Sequence, residues 1–322
     1  MQRRVLLATA ASLALPAIAR AQPAWPAKTV RFICPFAPGG GTDTVSRLIC
    51  EQLGRALGQQ FVVDNKGGAG GNIGTAELAR ATPDGYTLGL ISVASHTLNP
   101  MLYSRMPYDA DKDIIGVSRL ATLANLLGVT ASLPAQSVAE LIALCKKEPG
   151  KYAFASSGPG TSLHLSGELF KTMAGVDIVH VPYKGAGPAY GDLISGTVHM
   201  MFANMPSMLP QVRGGKLRGL GVTSVQRFKG ASDIPAIAET VPGYVATSWY
   251  GVGAPAGTPE PILARLEAAI GEALKHPEIQ RRWTDELGLD VPPAGRAGFK
   301  EFVAEDRKLW APAVKASGVK LD

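Results

Sequence analysis

Val30-Arg31-Phe32-Ile33-Cys34-Pro35-Phe36-Ala37-Pro38-Gly39-Gly40-Gly41-Thr42-Asp43 passes from a short apolar run into a proline- and glycine-rich turn and then into a helical pattern. Val45, Leu48, Ile49, Leu53 and Leu57 follow at helical spacing, and Gly58 closes the segment. The same order of events recurs. Phe61-Val62-Val63 leads through Asn65-Lys66-Gly67-Gly68-Ala69-Gly70-Gly71-Asn72-Ile73-Gly74 into a helix through Glu77 and Leu78, and Tyr152-Ala153-Phe154-Ala155 leads into Ser156-Ser157-Gly158-Pro159-Gly160-Thr161-Ser162. Repetition of strand, loop and helix predicts an α/β chain with two mainly parallel sheets flanked by helices. Ligands of such folds lie beyond the carboxyl ends of the strands, where these loops fall. Glycine there lets bare backbone approach a ligand. A helix start presents unpaired N–H groups and partial positive charge. Several such loops converging make an anion cradle that needs few charged side chains, which points to a receptor for a small acid.

The first residues read as a leader. Arg3 and Arg4 form a basic head, an apolar stretch runs to residue 19, and Ala19-Arg20-Ala21 has the form of a cleavage site. Residues 1–21 are therefore a predicted signal peptide, with Arg3-Arg4 compatible with either a twin-arginine or an ordinary secretory signal. The apolar stretch is too short to span a bilayer, so an exported, soluble mature chain is expected, in the periplasm. The formal net charge is +6, and half of it comes from Arg3, Arg4 and Arg20. The remaining excess is modest and lacks a Lys/Arg block, which argues against nucleic acid as a partner and leaves an anionic solute unopposed. The three cysteines, Cys34, Cys50 and Cys145, read as small core residues, with a Cys34–Cys50 bridge as the alternative.

The rhythm restarts after about Ala124. Ser137-Val138-Ala139-Glu140 has capping-box spacing and opens a helix to Lys147. Strands are expected at Ile178-Val179-His180-Val181, at residues 198–202 and at 217–222, the first leading into Pro182-Tyr183-Lys184-Gly185-Ala186-Gly187 and the second into Ala203-Asn204-Met205-Pro206. Trp249-Tyr250-Gly251-Val252-Gly253-Ala254-Pro255 reads as a connector. Two helical stretches, about 260–275 and 298–316, should return to the first domain.

Catalytic and cofactor signatures fail. There is no G-x-x-x-x-G-K-[ST] loop, no strict G-x-G-x-x-G, no G-x-S-x-G elbow and no H-E-x-x-H. The five histidines show no metal spacing, and no nucleophile–base pair stands out. The expectation is a non-enzyme with no catalytic residues, no metal and no cofactor. Asp43 reads as a general base or a ligand contact, or as a helix-start residue favoured by the dipole. His164 is a candidate lining residue or a locally bonded helix residue. His180 and His199 read as structural, and Lys184 as facing an acid or solvent.

Taken in order, these motifs, with Pro83-Asp84-Gly85-Tyr86-Thr87-Leu88, His180-Val181-Pro182-Tyr183-Lys184-Gly185, Gly215-Lys216-Leu217-Arg218 and Ala254-Pro255-Ala256-Gly257-Thr258-Pro259, closely resemble the Bug-type solute-binding receptors of tripartite tricarboxylate transporters. The resemblance runs from Trp25-Pro26 nearly to the C-terminus and departs at Ala37, where a second proline is common. It implies a two-lobed periplasmic-binding-protein fold, type II-like, with the ligand cleft between lobes: residues 22–124 plus 249–322 as lobe 1 and 125–248 as lobe 2. It implies a monomer that captures a small carboxylate and passes it to the membrane subunits of the transporter. The alternative is a sensing receptor that presents the solute to a signalling partner. The contacts implied are Phe36, Gly40, Thr42, Asp43, Gly70, Asn72 and Ser95 in lobe 1, and Ser157, Gly160, Thr161, Tyr183 and Asn204 in lobe 2. Segments near 123–127 and 247–251 would form the hinge. The acid itself stays open among dicarboxylates, tricarboxylates, aromatic acids and amino acids, with Phe36, Tyr183 and Met205 either lining an apolar pocket or packing.

Overall fold

A computed structural model describes residues 25–293 and 295–322; the leader and its cleavage site lie outside them. The strands are β1 Val30–Cys34, β2 Phe61–Asn65, β3 Thr87–Ser92, β4 Ile114–Thr130, β5 Ala153–Ser156, β6 Val179–Pro182, β7 Met200–Asn204, β8 Leu217–Val222, β9 Thr247–Pro255 and β10 Leu289–Asp290. The helices are α1 Gly41–Leu57, α2 Asn72–Ala79, α3 Asn99–Leu102, α4 Val138–Lys147, α5 Ser162–Ala174, α6 Ala186–Ser195, α7 Met205–Arg213, α8 Glu260–Lys275, α9 Pro277–Arg281 and α10 Phe299–Ser317. Among these described residues no helix is long and apolar enough to cross a membrane.

Each lobe repeats one unit. β1 lies between β2 and β3, parallel to both, and β5 lies between β6 and β7, again parallel to both. The two units are joined differently from the two separate sheets expected. The strands form one continuous path, β2-β1-β3-β9-β4-β7-β5-β6, with β8 and β10 on β4. β4 and β9 run antiparallel between the units. β4 pairs with β9 as far as Ala124, opposite Thr247, and from Asn125 onward with β7 and, one residue further along, with β8. The segment read as a connector is therefore β9, buried except at Thr247.

The helices obey their sequence periodicity. Val45, Leu48, Ile49 and Leu53 of α1 pack with Leu263, Leu266, Ile270 and Leu274 of α8 on the first sheet. Gly58 ends α1 in the left-handed conformation, φ 71°. The Ser137 hydroxyl accepts from the Glu140 amide, but the reciprocal bond of the expected box lands one residue early, from the Gln136 amide to Glu140. The two C-terminal helices separate. α8 lies on lobe 1 as expected, whereas α10 packs on lobe 1 and also reaches lobe 2, placing Val303, Trp310 and Ala313 in a core that holds Leu98 and Leu102 together with Leu165, Leu169 and Phe170 of α5. Cys34, Cys50 and Cys145 are buried free thiols.

Candidate functional site

The loops that follow β1, β3, β5, β6 and β7 meet between the lobes around a small cavity of about 20 Å³. Phe36, Gly41, Thr42, Ser92, Val93 and Ala94 line it from lobe 1, Ser157, Thr161, Ser162, Leu163, Ala186 and Asn204 from lobe 2, and Ser248 and Tyr250 from β9. Four other hollows are each lined by one lobe alone. Gly41, Ser162 and Ala186 are the first residues of α1, α5 and α6, and Asn204 immediately precedes α7. Four helix N-termini therefore converge on a cavity whose lining carries no charged side chain. Unpaired amides and the positive ends of helix dipoles are what remains to meet a negative ligand.

Of the twelve residues expected at the site, Phe36, Thr42, Ser157, Thr161 and Asn204 line the cavity. The others lie around it with other tasks. Asp43 is turned into its own loop. Its carboxylate accepts from the Gly39 amide at 3.1 Å, from Asn65 Nδ2 at 3.0 Å and from Arg47 Nε at 3.1 Å. Burial alone would raise its pKa, but the bonds from Arg47, Gly39 and Asn65 outweigh burial and hold it below the ordinary carboxylate value. The other Asn65 amide hydrogen goes to the Phe36 carbonyl, 2.9 Å, so Asp43 and Asn65 together set the curl that brings Phe36 to the cavity. Asp43→Ala should lower stability by about 2 kcal/mol, the worth of a hydrogen-bonded charged group, in urea denaturation. That contribution is present above the unfolded carboxylate pKa and is lost as pH falls through the depressed folded value.

Ser95 Oγ is held by the Ser92 backbone, accepting from its amide at 3.0 Å and donating to its carbonyl at 3.1 Å. Asn72 Oδ1 accepts from Asn99 Nδ2 and the Tyr108 hydroxyl. The Tyr183 hydroxyl donates to Asp192 on its own lobe, and Met205 is core. Neither Tyr183 nor Met205 supplies the apolar wall considered for them; Phe36 and Leu163 do. His164 and His180 stack at 4.0 Å beneath the β5–α5 loop. His164 Nδ1 accepts from the Gly160 amide, and His180 Nε2 meets Ser156 Oγ at 2.7 Å. Burial lowers their pKa values to about 3 and about 4, so both are neutral supports of that loop at physiological pH.

Gly40, Gly70 and Gly160 mark a contact between the lobes. The Ala37 amide donates to the Lys184 carbonyl across the gap, 3.2 Å. A methyl group on Gly70 would fall 2.1 Å from the Pro159 carbonyl oxygen, one on Gly187 1.8 Å from that of Pro38, and one on Gly160 2.4 Å from Asn99 Oδ1. Gly40 faces the Ala186 methyl at 3.3 Å. Glycine was read as making room for a ligand. At these positions it makes room for the backbone or side chains of the other lobe.

The lining residues that sequence reasoning missed fall into two groups. Gly41, Ser162 and Ala186 sit in loops already singled out, offset from the residues chosen, Ser92, Val93 and Ala94 directly precede the expected contact Ser95, and Leu163 follows directly after one of those loops. Ser248 and Tyr250 sit on β9, which carried no strand signal.

The chain matches the tripartite tricarboxylate transporter family receptor, TctC, over residues 45–319. It belongs to that family. It is similar to BugT of Bordetella pertussis, 37% identical over 300 residues that cover 92% of this chain and 91% of BugT. Among solved structures, a protein of R. palustris with adipate superposes with a TM-score of 0.89 at 38% identity, covering 92% of this chain and 99% of that one. MatC of Rhodopseudomonas palustris with bound malate gives 0.85 at 33% identity, covering 90% and 100%. The fold is thus the two-lobed periplasmic-binding-protein fold of TctC receptors, and family and structural neighbours are solute-binding receptors. Those neighbours include proteins holding carboxylates.

Proposed function

We propose that this protein is an exported periplasmic receptor, acting as a monomer and not as an enzyme, that captures a small carboxylate between its lobes. It then delivers the acid to the membrane subunits of a tripartite tricarboxylate-type transporter. The observation that carries this reading is the uncharged interlobe cavity onto which four helix N-termini converge. The carboxylate meets Phe36, Thr42 and the start of α1 on lobe 1 first. Ser157, Thr161 and Asn204 then close on it from lobe 2, while β4 and β9 flex near residues 123–127 and 247–251. Closure is favoured by whatever contacts the ligand makes only in the closed form.

The test is a thermal-shift series of carboxylic acids, beginning with adipate and malate, the acids of two structural relatives. A true ligand at a hundred times its Kd should add about 2.7 kcal/mol of stability. Flat melting curves across the series, with no acid co-purifying in native mass spectrometry, would remove the receptor reading. Delivery is tested separately, by uptake of labelled acid into vesicles that hold the membrane subunits. Uptake unchanged by added receptor would leave capture standing without transport.

A further inference from the structure

We infer that the Tyr250 hydroxyl, together with that of Ser92, is a ligand-selecting group of the interlobe cavity, and that this cavity takes small organic acids lacking an amino group. The inference deepens the receptor reading and rests on it.

Tyr250 is 1% exposed and Ser92 3%, and both line the cavity. Neither hydroxyl has a hydrogen-bond partner among the described residues. A buried hydroxyl left unpaired is unfavourable, and two beside one cavity are explained by a group that arrives from outside the chain. The position of Tyr250 says which end of that group it meets. A methyl group on Gly41, the first residue of α1, would lie 3.0 Å from the Tyr250 hydroxyl and 2.9 Å from Asn204 Cβ. The phenol therefore stands beside the amides of the α1 start, facing lobe 2, and adds an O–H donor to the N–H donors there. Burial holds it well above the usual phenol pKa, so it keeps its proton and donates.

The same lining discriminates against an ammonium group. Four helix N-termini present positive partial charge, and none of the lining residues is Asp or Glu. The nearby acid, Asp43, has both oxygens occupied by Arg47, Asn65 and the Gly39 amide. An amino acid entering this cavity would bring a cation with no anion to receive it, whereas its amine-free counterpart brings only the carboxylates that the helix ends favour.

Calorimetric titration with matched pairs tests this: succinate against aspartate and glutarate against glutamate, on the wild type, Tyr250→Phe and Ser92→Ala. At least one amine-free acid should bind about ten-fold or more tightly than its amino counterpart. Tyr250→Phe should weaken that acid about ten-fold, and Ser92→Ala less. The unliganded melting temperature of Tyr250→Phe should stay level or rise, because a hydroxyl without a partner is removed; a structural hydroxyl would lower it. Equal or tighter binding of the amino acids, or full affinity in Tyr250→Phe, overturns the inference and leaves the receptor reading intact. No binding by any of the four acids to the wild type overturns the inference, and the receptor reading falls with it only if the wider acid series also leaves the melting curve flat and no acid co-purifies.

Discussion

Gly187→Ala is expected to weaken ligand binding roughly thirty-fold, about 2 kcal/mol, the range found for overpacking, while the unliganded protein melts at or above the wild-type temperature. Gly187 lies in the first turn of α6, where alanine is the better helix former. Within lobe 2 the substitution is therefore harmless. Its methyl group would fall 1.8 Å from the Pro38 carbonyl oxygen of lobe 1, a backbone atom held by the Asp43–Asn65 brace. The lobes can then meet only by shifting apart at this seam, which weakens the Ala37–Lys184 bond and every contact that needs both lobes at once. Calorimetry measures the loss. Small-angle scattering should show the variant staying open at ligand concentrations that compact the wild type. Wild-type affinity in Gly187→Ala would mean that the bound form does not close along this seam.

Asp306→Ala should destabilise the protein by about 3 kcal/mol, since it strands two buried donors. Asp306, on α10, accepts from the Thr97 hydroxyl at 2.5 Å and from Trp249 Nε1 at 2.8 Å. It thereby ties the C-terminal helix to β9 and to the turn after β3, two of the elements that line the cavity. Burial raises its pKa against the opposing pull of those two bonds and of Arg119 and Arg307. For an acid with a raised folded pKa, the linked stability is fully present below the unfolded value and is lost as pH rises through the folded one. Asp306→Asn keeps an acceptor and cannot ionise. In urea denaturation across pH it should lose little stability and flatten that part of the pH curve, whereas Asp306→Ala should lower the midpoint at every pH. An Asp306→Ala midpoint equal to wild type would show that this tie carries no stability.

The parts of the fold legible in sequence were those where one chemical signal dominates. β1 is an apolar run cut by prolines and glycines, and α8 is an amphipathic helix whose bounds follow from its periodicity. β4 and β9 were not legible as strands. Both are buried over most of their length and mix apolar residues with glycine and polar residues in no period of two, so nothing separates strand from connector. The cavity loops were visible for their glycines, yet the residue of each loop that faces inward depends on how the loop is braced. Asp43 and Ser95 are polar and well placed in sequence, but both are used to hold their loops, and Ser92 faces the cavity instead. Tyr250 could be found only once β9 was known to run through the middle of the sheet.

β9 also fixes the order in which this protein can be completed. It fills the gap between β3 and β4, but the chain reaches it only after passing through all of lobe 2. Lobe 2 is nearly continuous in sequence and can form its parallel unit as soon as it is made. Lobe 1 must wait, with the edge of β3 unpaired and apolar until the last quarter of the chain arrives. Contacts so distant in sequence form slowly, and an open apolar strand edge invites pairing with another chain. Truncation before β9 should thus yield an aggregating first lobe joined to a second lobe that keeps its parallel unit but loses the α10 cover of α5, and a companion that shields the waiting edge would serve this protein more during synthesis than at any later time.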